Sequence, residues 1–196
     1  LVGLLAVAGL AVSLFHLGTP WKAANSIFNL ASSWLSREII LTAGFVILWA
    51  LAVVLARRTQ KIPGILVLIN AVVGLLAIFA MGKIYSTTLI PAWQGLHTFA
   101  AFYTTSFILG TLLAIGITGY MMNKQKLTQQ RELYTSVLTP VSYIILIAVA
   151  VQVVIVPNYL VSLVTQGGAG QATAYLLSEE YGFILALRWF LTILGG

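Results

Sequence analysis

The sequence predicts an all-α protein that crosses a membrane several times. Of its 196 residues, 60% are hydrophobic and only 7% are charged, and the mean hydropathy is +1.03. A water-soluble domain usually has close to half of its residues apolar and about a quarter charged. The apolar residues are also gathered into stretches, several of which approach the roughly 20 residues that a spanning helix needs. We therefore predict a polytopic bundle of transmembrane helices.

Six apolar stretches are predicted to span the membrane as one domain over residues 1–196. The first and last of these stretches are short for a complete span, so we expect the sequence to be an internal piece of a longer polypeptide. The predicted spans cover residues 1–16, 38–56, 62–82, 96–122, 138–157 and 181–196. Two prolines, Pro140 and Pro157, are expected at the two ends of the fifth span, and the glycine-rich stretch 167–170 is expected to be a flexible loop.

The orientation of the bundle is predicted from its basic residues. The loop after the second span and the loop after the fourth, around residues 57–61 and 123–132, together carry six basic residues. Because short loops rich in lysine and arginine stay on the cytoplasmic side, these loops are expected to face the cytoplasm of a bacterial inner membrane. The alternate segments then face the periplasm, and they are rich in the tryptophan and tyrosine that mark a membrane interface.

Composition also excludes several kinds of site. The protein has no cysteine, so it can form no disulfide, thiolate zinc site or cysteine-held iron–sulfur cluster, and any such cluster must lie on a partner. The formal net charge is +6, but the basic residues are dispersed and form no patch that would follow a phosphate backbone. Nucleic acid is therefore not an expected partner, whereas membrane lipid is.

The polar segment after the first span predicts a short amphipathic helix over residues 19–35. Thr19 can cap this helix, Pro20 fits its first turn, and apolar residues recur at spacings of three and four. Its other face is polar, as expected for a helix that lies in the membrane interface. Ser36 is expected to cap the next span, with Glu38 in the first turn.

The same segment contains the residues most suited to chemistry. His16 ends the first span and Glu38 begins the second, so both are expected near one membrane surface. An imidazole titrates near neutral pH, and with a neighbouring carboxylate it suits proton uptake from a quinol. Lys22, Arg37, Lys83 and Tyr85 could hold a quinone carbonyl. Alternatively, His16 and Glu38 only satisfy helix ends.

His97 begins the fourth span on the same predicted side as His16, so a haem held by these two imidazoles is a second possibility. Histidines that ligate haem in this way usually lie within spans, whereas these lie at the rim. A solute transporter is a third possibility. No carboxylate lies deep in any predicted span, which argues against a proton-driven carrier.

Two groups of motifs resemble the membrane anchor subunit of the bacterial dimethyl sulfoxide reductase family. The first group is HLGTP at 16–20, KAANS at 22–26 and SWLSREI at 33–39. The second, supporting group is KIYS at 83–86 and PAW at 91–93. Together they cover about a fifth of the sequence, and the order of spans and loops extends the similarity along most of it.

The resemblance implies a haem-free anchor of about eight spans that binds menaquinol near the periplasmic face. In this family the anchor holds a molybdopterin catalytic subunit through a four-cluster, ferredoxin-like iron–sulfur subunit. The histidine and glutamate implicated in quinol binding match His16 and Glu38, and a basic residue after the HLG motif matches Lys22. Relatives often have arginine at that position, and lysine cannot make the same bidentate contact.

Our hypothesis from the sequence is therefore a membrane anchor that oxidises menaquinol in an anaerobic molybdopterin reductase. His16 would take the first proton, and Glu38 would orient His16 or receive the second proton. Lys22, Arg37, Lys83 and Tyr85 would position the quinol ring. A purely structural anchor, a haem-binding cytochrome and a transporter stay open as alternatives, and the terminal electron acceptor is not predicted.

Overall fold

A computed structural model of the protein describes residues 8–9, 12, 29–125 and 131–195. The protein divides into two compact units, residues 1–84 and 85–196, which we call the first and second units. Every regular element of more than two residues in the described ranges is helical. The predicted all-α class is therefore confirmed.

In the first unit, α1 (Trp34–Thr59) is followed by α2 (Gly64–Ser86), whose last two residues belong to the second unit. The Ser33 hydroxyl accepts a hydrogen bond from the Ser36 amide at 3.3 Å, so Ser33 caps α1. The prediction that Ser36 is the cap is wrong by about one turn. Because α1 begins earlier than expected, Ser36 is fully buried and Glu38 lies in the second turn.

The helices α1 and α2 contact each other through aromatic and small side chains. Phe45 packs over Gly74 so closely that a Cβ at Gly74 would lie 3.2 Å from its ring. Nearer the ends of the helices, the rings of Trp34 and Phe79 meet edge to face with centroids 5.9 Å apart. Glycine thus leaves the space that an aromatic ring fills, as in other membrane helix pairs.

The second unit contains four α-helices and two short turns of helix in the described residues. The helices α3 (Leu96–Gln125) and α4 (Arg131–Thr165) pack against each other along their length. A 3₁₀ helix (Pro91–Trp93) precedes α3, and α5 (Gly168–Tyr175) folds back to contact both α4 and this 3₁₀ helix. A π-helical turn (Leu176–Glu180) then leads into α6 (Gly182–Gly195), which returns to α4.

The helix α4 continues through both of its prolines. Both prolines lie inside the helix. Pro140 is near the start of the span Leu138–Thr165, as predicted, whereas Pro157 lies well before its end, so the prediction is wrong for Pro157. Spanning helices tolerate proline when nearby side chains satisfy backbone groups. Close to the two prolines, the Ser142 hydroxyl donates to the Leu138 carbonyl at 2.9 Å and the Asn158 amide to the Val154 carbonyl at 2.7 Å. These bonds add to the helix beside the positions where proline has no N–H.

The glycine-rich stretch after α4 is a tight turn and the start of α5, not a flexible loop. Gly167 and Gly168 have φ angles of +69° and +46°, which suit glycine. Gly170 is buried, and a Cβ there would lie 2.6 Å from the Leu163 carbonyl oxygen. Glycine at this position therefore lets α5 approach the end of α4.

Four described helices are long and apolar enough to cross a membrane: Trp34–Thr59, Gly64–Ser86, Leu96–Tyr120 and Leu138–Thr165. They correspond to the second to fifth predicted spans. The first predicted span lies mostly outside the described residues, and at the sixth the structure has the 14-residue helix α6. The predicted interfacial helix over 19–35 also lies mostly outside them; its described part has a turn at 30–32, and Trp34 belongs to α1.

Candidate functional site

The six residues predicted to bind quinol are distributed unequally over the structure. His16 and Lys22 lie outside the described residues. Arg37, Glu38 and Lys83 belong to the first unit, whereas Tyr85 belongs to the second. Each unit therefore has to be considered on its own.

In the first unit, Arg37 and Lys83 gather at the ring of Trp34. The Arg37 guanidinium lies 4.3 Å from the ring centroid, and the Lys83 ammonium lies 6.0 Å from it, both within the range of cation–π attraction. Arg37 also donates to the carbonyls of Leu30 and Ala31 at 2.9 and 2.7 Å. It thus closes the turn that leads into α1, a structural role that the sequence did not reveal.

A cavity of about 360 Å³ lies beside this cluster. Trp34 and Arg37 line it together with apolar side chains of α1 and α2, so one cation faces an otherwise apolar space. Glu38 is not among the described residues that line the cavity, because consecutive helical residues point about 100° apart. Glu38 is half-buried on another side of α1. The structure therefore brings Arg37 and Lys83 to one aromatic ring, but not Glu38.

In the second unit, Tyr85 belongs to an aromatic cluster. Its ring meets Trp93 edge to face at a centroid distance of 5.3 Å and contacts Phe102 at 5.4 Å. These rings form one wall of a cavity of about 330 Å³. Tyr85 therefore lies at a pocket, within a set of partners that the sequence did not predict.

His97 lies on another wall of this cavity. Its ring lies against Tyr159 with centroids 4.1 Å apart, and its Nε2 is 3.0 Å from the Ala92 carbonyl oxygen. A carbonyl only accepts hydrogen bonds, so Nε2 carries the proton and Nδ1 of a neutral ring is the acceptor. The Tyr159 hydroxyl donates to the same carbonyl at 3.2 Å. In this arrangement Nε2 donates within a turn and is not available to ligate a haem iron, so the haem alternative would have to use Nδ1.

A polar network inside the second unit was missed by the sequence analysis. Arg188 on α6 donates to the Gln152 side-chain oxygen at 3.1 Å, and the Gln152 amide donates to the Thr104 hydroxyl at 2.5 Å. Thr104 is buried and donates its own proton to the Ala100 carbonyl at 2.6 Å. The four groups form one chain of hydrogen bonds from Arg188 to Ala100. The direction of this chain is fixed, because an arginine can only donate.

Arg188 could have been recognised from the sequence. Composition arguments treated the basic residues as loop residues, yet Arg188 lies alone in the apolar run GFILALRWFLTIL. An ionisable residue at such a position is rare and by default suggests function. Gln152 on α4 is the partner that accepts its hydrogen bond.

The network separates two adjoining spaces. On one side is the 330 Å³ cavity with the aromatic rings, His97 and Tyr159. On the other is a groove of about 630 Å³ lined almost entirely by apolar side chains of α3, α4 and α6. Gln152 and Arg188 line both spaces. Within the described residues, no cluster of three or more histidine, aspartate or glutamate side chains could hold a metal ion.

The fold and composition define a polytopic α-helical membrane protein with polar side chains at helix ends and inside its second unit. The family model for the DMSO reductase anchor subunit (DmsC) matches residues 1–195, and the protein belongs to this family. The predicted resemblance is thereby confirmed, and with it the role of a membrane anchor.

Three curated relatives, all subunits of anaerobic dimethyl sulfoxide reductases, are similar to this protein. The C subunit from Haemophilus influenzae is 29% identical over 186 residues, which cover 86% of this sequence and 66% of the relative. The YnfH subunit of Escherichia coli K12 is 31% identical over 58% of this sequence and 41% of its own length. The C subunit from the same bacterium is 29% identical, covering 58% of this sequence and 43% of the relative.

The protein thus spans less than two thirds of the length of each of these relatives. No solved structure matches it significantly.

Proposed function

We propose that the protein is the membrane anchor and menaquinol-oxidising subunit of an anaerobic molybdopterin reductase of the dimethyl sulfoxide reductase type. The observation that carries this proposal is the family match over residues 1–195. The curated relatives are named as components of anaerobic dimethyl sulfoxide reductases. The partners of the protein are then an iron–sulfur subunit and a molybdopterin catalytic subunit.

The chemistry assigned to this subunit is binding and proton handling. A quinol that becomes a quinone releases two electrons and two protons. These 196 residues have no cysteine to hold an iron–sulfur cluster, and in this proposal the electrons leave to the iron–sulfur subunit. His16 accepts the first proton, and Glu38 orients the His16 ring or accepts the second proton.

Four further residues bind the quinol ring in this proposal: Lys22, Arg37, Lys83 and Tyr85. The grouping of Arg37 and Lys83 around Trp34 supports a cationic binding surface at this end of α1 and α2. Such cations can donate to a quinone oxygen. The same end belongs to the periplasmic face of a bacterial inner membrane if the basic loop after α1 is cytoplasmic.

The proposal is tested in membranes that carry the complete complex. His16→Ala and Glu38→Gln are each expected to lower oxidation of a menaquinol analogue at least about tenfold at equal assembly of the complex, because each removes a proton acceptor. Glu180→Gln is a matched control, since this carboxylate is exposed on the π-helical turn. Full activity of both variants would reduce the first-unit site to a structural role.

A further inference from the structure

We propose that the second unit holds a prenylquinone of its own, with the ring in the 330 Å³ cavity and the prenyl tail in the adjoining 630 Å³ groove. This site uses His97, Tyr159, Gln152 and Arg188, none of which is assigned to the quinol site proposed above, although Tyr85, which is assigned to it, also lines this cavity. The identity of the ligand as a quinone rests on that proposed function. The shape and polarity of the site are independent of it.

The polar half of the site contains hydrogen-bond donors and aromatic walls. Arg188 and Gln152 carry several N–H groups each, whereas Tyr159, whose hydroxyl donates to Ala92, supplies an aromatic wall; all three line the cavity. Tyr85, Trp93 and other rings flank the same space. Flat aromatic walls with a few directed donors suit a planar ring whose oxygens accept hydrogen bonds.

The position of Arg188 is the strongest reason to expect a ligand. A cation within an apolar helix costs free energy, and such residues usually face a cavity or a polar partner. Gln152 orients the guanidinium from α4, and Thr104 orients Gln152 from α3. A guanidinium has five N–H donors in a planar fork, so it can serve several acceptors at once.

The apolar half begins where the polar half ends. Gln152 and Arg188 line both spaces, so a molecule could pass between them with its polar end on one side. Beyond them the groove is lined by side chains such as Ile108, Leu112 and Leu187. Both volumes fall in the range of known ligand pockets, about 300–1,000 Å³. An amphipathic molecule with a small ring and a long hydrocarbon tail fits this arrangement of a polar cavity beside an apolar groove.

The binding site is tested by photolabelling the complete complex with a menaquinone analogue that carries a diazirine on its tail. We expect labelled peptides from the groove helices α3, α4 and α6, with labelling suppressed by unlabelled menaquinone. Labelling that is suppressed equally by a polyprenol without a quinone ring, or by phosphatidylglycerol, would overturn the proposal, because the groove would then accept any lipid tail.

Two variants test the two halves separately. Arg188→Gln is expected to weaken labelling of the groove about tenfold or more, because a charged hydrogen-bond donor is lost. Leu112→Trp leaves the polar network in place, fills the groove and should weaken labelling comparably. Arg58→Gln is the matched control, since Arg58 is exposed in the last turn of α1. Undiminished labelling in both assembled variants would contradict the proposal.

The same experiment separates this inference from the proposed function. If quinol oxidation depends on His16 and Glu38 but the groove is never labelled, the inference fails and the proposed function stands. If the probe labels no part of the protein and quinol oxidation is unaffected by His16→Ala, both fail. Labelling of the groove that persists in His16→Ala supports a site that is independent of the first unit.

Discussion

His97 shows how backbone geometry can fix the position of one side chain. The residue two positions earlier, Gly95, has a φ of +108°, and a Cβ there would lie 3.3 Å from His97 Nδ1. The turn before α3 therefore leaves the imidazole just enough space. The Thr98 hydroxyl donates to the Trp93 carbonyl at 2.6 Å and closes the same turn. The ring is thus held by its surroundings before any ligand is bound.

We expect Gly95→Ala to destabilise the second unit by about 1–3 kcal/mol, the usual cost of holding an L-residue in a sparsely populated backbone conformation. The added methyl group also crowds His97. The measurement is the midpoint of thermal unfolding of the purified complex in detergent. Gly110→Ala is the control, because this helical position has open space and alanine favours helix. Equal midpoints for the two variants would contradict the expected strain.

Among the helical elements, the junction of α4 and α5 depends most on a single small residue. Leu163 is fully buried at this junction, and its carbonyl oxygen lies where a side chain at Gly170 would begin. Any larger residue at Gly170 must push α5 away from α4. Because α5 also contacts the 3₁₀ helix before α3, such a shift would extend to Ala92 and Trp93, which line the cavity.

Gly170→Ala is accordingly expected to cost about 1–3 kcal/mol, the range typical of overpacking. The obstructing atom is a backbone oxygen, which cannot swing aside in the way that the end of a flexible side group does. Limited proteolysis in detergent is a suitable measurement, with faster cleavage expected between α4 and α6. Gly182→Ala is the matched control, since no atom lies within 4 Å of its added methyl group. A cleavage rate equal to that of the wild type would show that the junction can adapt.

Sequence patterns were most reliable for whole spans, because span length and apolar content depend only on the thickness of the membrane. They failed where the outcome depends on a neighbour. Ser33 rather than Ser36 caps α1, since both serines satisfy the local rule and only the fold selects one. Pro157 lies inside α4, because spanning helices tolerate a proline that would usually end a helix in water. The role of Arg188 depends on its hydrogen bond to Gln152 on α4, and the sequence alone does not show that pairing.

For the whole molecule, the distribution of charge predicts which ends of the helices face the cytoplasm. Arg57 and Arg58 end α1, and the next helix begins only a few residues later. The segment between α2 and α3, in contrast, contains aromatic and polar residues and the highly exposed Leu89. The positive-inside rule therefore places these two connections on opposite sides of the membrane.

The absence of cysteine allows a direct test of this orientation, since each introduced thiol is unique in the sequence. In intact cells, a membrane-impermeant maleimide is expected to label Leu89→Cys. It should label Ile62→Cys, in the loop between α1 and α2, only after the membrane is permeabilised. The native protein is the blank for labelling of other groups. The reverse pattern would invert the orientation and move the proposed quinol site to the cytoplasmic side.

The shared acceptor at Ala92 makes the turn before α3 tolerant of single losses. A carbonyl oxygen has two lone pairs, and those of Ala92 are taken by His97 and by Tyr159. If His97 is removed, Tyr159 still joins this turn to α4, and if Tyr159 is removed, His97 still holds the turn against the start of α3. Either hydrogen bond alone still gives the Ala92 oxygen a donor, so the stability costs of losing the two bonds should not add. Their importance would be hidden in any survey that changes one residue at a time.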